Sequence, residues 1–183
     1  MRSSTVGWRA LRASLPKSTS NEKKAVVAER LAPNSGLVYS DRVTALTLST
    51  ANAVIEAALA ASTNAGYRPM AVVVLDESGN LTAAQRQDGA SMFRVDVATG
   101  KAWAAAAMGA SSRVLAERAA SNPNFFVSLA STAHGRFLPQ TGAVLIKDAS
   151  GKVIGAVGAS GGTGDEDEEI CIAGVKAVGL DAG

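Results

Sequence analysis

From residue 46 onward the hydrophobic pattern changes period several times, and each change marks an element. Leu48, Ala51, Ile55, Ala58, Leu59 and Ser62 recur at three- and four-residue spacing, which predicts a helix over 47–65 with one small-to-medium apolar face. Gly66 suits its left-handed C-terminal position, and Pro69 cannot prolong it. Val72-Val73-Val74-Leu75 is a short β-branched run, hence a buried strand. Asp76 to Asn80 is a turn, and 81–86 returns as a second strand. The same order recurs later: Val144 to Lys147, the turn Asp148-Ala149-Ser150-Gly151-Lys152, then 153–159. Both turns read Asp-x-Ser-Gly-x, with glycine where a positive φ is required.

Between the two hairpins, 93–108 is rich in alanine and reads as a helix able to pack closely. Ser111-Ser112 is expected to cap a further helix through Ala120, which Ser121-Asn122-Pro123-Asn124 ends. The stretch 125–140 reads as irregular, and 165–178 as a last helix with acids in its first turn. Hairpins impose antiparallel pairing, so the expected fold is α+β: a single antiparallel β-sheet built from two hairpins, with helices packed on it. A Rossmann unit is disfavoured because no strand leads into Gly-x-Gly-x-x-Gly and a helix.

Charge divides the chain. Residues 1–43 carry eight basic and three acidic side chains, whereas the remainder carries ten basic and thirteen acidic. Residues 1–45 are therefore expected to be a basic arm or targeting segment, and 46–183 the folded domain. The first twenty residues lack Asp and Glu and hold Arg, Lys and Ser, the composition of an organellar transit peptide. No apolar run is long enough for a secretory core or a membrane span, so a cytoplasmic location is expected, or an organellar one if the arm is a transit peptide. The mildly acidic body is a poor partner for phosphate backbones, and an aromatic content of 4% offers few stacking platforms, so nucleic acid is not an expected partner. A single cysteine excludes an intrachain disulfide, and a single histidine excludes multi-histidine metal centres.

Several segments in order carry a resemblance. They are 72–79 (VVVLDESG), 86–90 (RQDGA), 98–105 (ATGKAWAA), 155–162 (GAVGASGG), then Asp167-Glu168 and Ala173-Gly174. From about Leu46 to Gly179 the chain resembles the GlcG/HbpS-like family of haem-binding proteins. That family includes the C-terminal domain of a propanediol-utilisation corrinoid adenosyltransferase. The resemblance implies a sheet with helices on it, a homo-oligomer, and a small-ligand pocket, with haem or a corrinoid as the ligand class of some members. Where the family usually has Gly-Gly-x-Pro before its last hairpin, this chain has Gln140-Thr141-Gly142-Ala143.

Three groups are candidate ligand-binding residues. Arg86, Asp88 and Lys101 come first: a planar guanidinium and a point charge suit a carboxylate or propionate, with Asp88 holding either cation. The alternative is an ion pair that only ties turn to helix. The loop containing Gly161 and Gly162 could gather backbone N–H groups on an anion, although the acids after it, Glu168 among them, favour a plain capped helix. His134 could be an axial haem ligand, a general base or an exposed side chain. Three functions follow: an oligomeric protein binding haem or a related tetrapyrrole for sensing, storage or delivery; a cofactor-independent isomerase, lyase or hydrolase acting on a small carboxylate, with Asp88 or Glu168 moving a proton; or a non-catalytic assembly subunit.

Overall fold

The computed structural model describes residues 45–183. The expected basic arm lies outside the described residues. Within them the order is α1 (Leu48–Asn64), β1 (Ala71–Asp76), β2 (Leu81–Arg86), α2 (Arg94–Met108), α3 (Ser112–Ser121), α4 (Pro123–Thr132), β3 (Ala143–Lys147), β4 (Val153–Ser160), α5 (Gly164–Ala177) and β5 (Asp181–Ala182).

The five strands form one antiparallel sheet in the order β2-β1-β4-β3-β5. The two hairpins are β1–β2 and β3–β4, and they join through β1 and β4, where Val72 faces Ala159 and Val74 faces Val157. Both turns are built alike. Asp76 Oδ1 accepts from the amides of Ser78 and Asn80 at 2.9 and 2.8 Å. Asp148 Oδ1 accepts from Ser150 N, Ser150 Oγ and Lys152 N at 2.9, 2.6 and 3.1 Å. Gly79 and Gly151 follow at φ +79° and +81°, a region that costs a side chain energy and glycine little.

Side chains alternate across a strand, and β1 sends each set into a different core. Val72 and Val74 meet Val54, Ile55, Ile170 and Val175 of α1 and α5. Val73 and Leu75 meet Ala98, Ala102 and Ala105 of α2 on the opposite face. Burial of each such Val or Leu contributes about 1.5–3 kcal/mol. Helix α2 comes closest at Gly158, where a Cβ would stand 2.4 Å from Ala98 O. The alanines of α2 thus seat it on the sheet backbone, which fixes Lys101 beside the end of β4.

Two expectations need correction. The segment 125–140 is not irregular throughout, because its first part is helix α4. Ser121-Asn122-Pro123-Asn124 does end α3, as expected, but Pro123 also opens α4, in the first turn where a missing N–H costs nothing. Ser111-Ser112 does not cap by side chain. Ser112 is buried instead, and its Oγ donates to Ala143 O at 3.1 Å and accepts from Ala143 N at 2.7 Å, pinning α3 to β3.

Candidate functional site

A cavity of about 480 Å³ opens where α2, the end of β4 and the start of α5 meet. Its walls carry Arg94, Lys101, Gln140, Thr141, Ser160 and Asp167, with Val97 and Leu138 as apolar patches. The volume suits a small molecule, while the lining is far more polar than that of most such pockets.

Lys101 and Asp167 form the floor. Both are buried, at 5% and 2% exposure, and Lys101 Nζ lies 2.7 Å from Asp167 Oδ2. Lys101 also donates to Ala159 O at 3.2 Å, and Asp167 Oδ1 accepts from Gly162 N at 3.0 Å. Buried charges persist only when paired and hydrogen-bonded in this way. Gly142, at φ +126°, lies over the pair: a Cβ there would come 2.6 Å from Lys101 Nζ and 2.7 Å from Asp167 Cβ. Two of the three ammonium donors of Lys101 are thus engaged, and the third has no protein acceptor among the described residues.

Arg94 stands two helical turns before Lys101 on the same face of α2. It is half-buried, and its guanidinium donates to Ser160 Oγ at 3.4 Å. No carboxylate pairs with it among the described residues. The cavity therefore holds one neutralised cation in its floor and one uncompensated cation in its wall.

The expected residues separate. Lys101 and Gly162 line the cavity, but Arg86 and Asp88 do not. Arg86 is exposed at the end of β2, where its guanidinium donates to Ala90 O. The counter-ion of Lys101 is Asp167, not Asp88. Gly161 is buried beside the cavity, with Pro69 O where its Cβ would be. The glycine loop does not present free N–H groups: Gly162 N is taken by Asp167, and Thr163 N by Glu166 Oε2 at 2.7 Å within a capping box. Glu168 does not line the cavity and accepts from Arg113 Nε at 2.7 Å. His134 is exposed in the turn after α4 at φ +53°. Cys171 is buried; burial, then the nearby Asp167 carboxylate, pushes its thiol well above the usual range, so it is inert. Ser160 opens the expected glycine loop, whereas Arg94 and Thr141 were not anticipated as site residues. The spacing of Arg94, Val97 and Lys101 was the available signal, since it places all three on one face of a helix.

Fold and cavity together define a protein with a single sheet, helices on both faces and a charged hollow beside the glycine-rich end of β4. The chain belongs to the HbpS-like family of haem-degrading proteins, whose family model matches residues 46–176. A double mutant of Streptomyces reticuli HbpS is 30% identical, covers 80% of this chain and 96% of its own, and superposes with a TM-score of 0.64. The Klebsiella pneumoniae protein ORFY is 26% identical over 73% of this chain and 90% of its own, with a TM-score of 0.66. The PduOC–haem complex shares the fold at 24% identity, covering 74% of this chain and 96% of its own, with a TM-score of 0.67. No curated protein matches. No helix among the described residues is long and apolar enough to cross a membrane.

Proposed function

We propose that this protein binds a small carboxylate-bearing ligand in the Arg94–Lys101 cavity. The uncompensated guanidinium of Arg94, half-buried in a polar hollow, is the observation that carries the reading. A planar guanidinium grips a carboxylate through two parallel N–H bonds, and partial burial strengthens that contact. Lys101 lines the same cavity with one ammonium donor left without a protein acceptor among the described residues, while Thr141, Gln140 and Ser160 offer neutral hydrogen bonds to hydroxyl or carbonyl groups. The ligand class is thus a small hydrophilic acid. The paired state of Lys101 and Asp167 makes binding the primary role, with the ion pair holding the floor rigid.

A haem seated in this cavity does not fit the residues present. Its walls hold no His, Cys, Met or Tyr among the described residues, so the iron would have no side-chain ligand there. The second reading places haem elsewhere. Phe126, Val127, Ala130, Phe137 and Pro139 line an apolar groove of about 270 Å³ along α4; His134 does not line it but falls in the exposed stretch of chain between Ala130 and Phe137. Apolar walls with a histidine near by are the chemistry a haem requires, and PduOC is a relative seen with haem. Oligomeric assembly, as the family resemblance implies, is part of both readings.

Native mass spectrometry of protein taken directly from its source tests the two. The cavity reading expects a bound acid of a few hundred daltons that Arg94→Ala loses and His134→Ala keeps. A bound haem lost by His134→Ala supports the second reading, and the absence of any bound acid that Arg94→Ala loses overturns the first.

A further inference from the structure

Asp165 stands on the rim of the cavity, at the start of a run of five consecutive acids, 165–169. Left unpaired, those carboxylates would repel an incoming anion. Arg113 of α3 crosses to this turn of α5. Its Nη2 lies 2.5 Å from Asp165 Oδ1 and 2.6 Å from Glu168 Oε2, and its Nε donates to Glu168 Oε2 at 2.7 Å. The other acids are occupied separately: Glu166 closes the capping box, Asp167 holds Lys101, and Glu169 accepts from the Tyr67 hydroxyl at 2.8 Å.

We infer that Arg113 is a positioning residue for ligand capture: by binding Asp165 and Glu168 together it offsets one of their two negative charges and lowers the repulsion an anion meets on its way to Arg94. This rests on the carboxylate reading given above. Arg113 does not line the cavity and is not proposed to touch the ligand. Its effect travels through space from Asp165, whose side chain is 81% exposed, so added salt must weaken it. Helix α3 thus acquires a role beyond packing, because it carries the one side chain among the described residues that pairs with the rim carboxylate.

The test is an NMR titration of the full chain with acetate, comparing affinities at low and high salt. Arg113→Ala is expected to weaken acetate binding about 3–10-fold at low salt, with the gap narrowing at high salt. Asp165→Asn, at an exposed position that folding tolerates, is expected to bind acetate more tightly than wild type. The triple variant Arg113→Ala, Asp165→Asn, Glu168→Gln, which leaves the rim as neutral as Asp165→Asn does, is expected to bind acetate at least as tightly as wild type. Unchanged affinity in Arg113→Ala, or a triple variant that stays weak, overturns the inference and leaves the carboxylate reading standing. Absence of acetate binding to the wild type overturns the carboxylate reading itself, and this inference with it.

Discussion

Lys101 Nζ lies 2.7 Å from Asp167 Oδ2 in a nearly closed site, joining the middle of α2 to the first turn of α5 across the end of β4. The pair ties the helix on one face of the sheet to a helix on the other. It sits where the sheet itself ends, so side chains there replace sheet hydrogen bonds.

Removing one partner leaves the other charged and buried. Asp167→Ala is expected to cost about 3–5 kcal/mol of stability, whereas Lys101→Met combined with Asp167→Leu costs much less because no charge is stranded. Denaturant midpoints for the two variants check this. Equal losses would mean that the geometry of the pair, rather than its charge, holds the site.

Gly142 is expected to resist substitution even by alanine. The φ of +126° strains any side chain, and the added Cβ would press on Lys101 Nζ and Asp167 Cβ. Gly142→Ala should lose about 1–3 kcal/mol from strain alone. Gly151→Ala, with open space around its Cβ, should lose less, so thermal melts of the two separate crowding from backbone strain.

Acid should loosen the two hairpin turns. Hydrogen bonds from Ser150 and Lys152 hold the Asp148 carboxyl below its ordinary value of 3.8. At Asp76 burial pushes the carboxyl up, but bonds from Asn80, Ser78 and Gly79 outweigh it and the net shift is downward. A carboxyl depressed on folding contributes stability that is complete above its unfolded value and is lost as pH falls through its folded value. Wild type should therefore lose more stability than Asp148→Asn when pH is lowered from neutrality to below 3.8, read from urea midpoints at each pH. Parallel loss in the two proteins would remove Asp148 from the acid response.

The hairpins were legible because their determinants are local. Asp-x-Ser-Gly-x fixes each turn within five residues, and short apolar runs rich in Val and Ile declare the buried strands. Helix α2 was legible from its alanines. Helix α4 was obscured because Pro123 and Asn124 look like breakers until the helix is seen to begin at the proline. The two-residue β5 has no local signature, since only pairing with Ile146 and Lys147 makes it a strand. Lys101 was recognisable as a site residue from its small neighbours, but its partner lies sixty-six positions away and depends on how α5 meets α2. Arg86 and Asp88 were expected at the site and Arg94 was not. The turn after β2 carries them away from the end of β4, while Arg94 begins the helix that leads back to it.

Amide and arginine side-chain NMR of the wild type and Arg94→Ala during titration with acetate tests the carboxylate site most directly. Shifts that saturate at Arg94, Thr141 and Gly162 in the wild type, and vanish in Arg94→Ala, are the predicted result. Saturating shifts that persist in Arg94→Ala, or that gather at Arg86 and Asp88 instead, would contradict it.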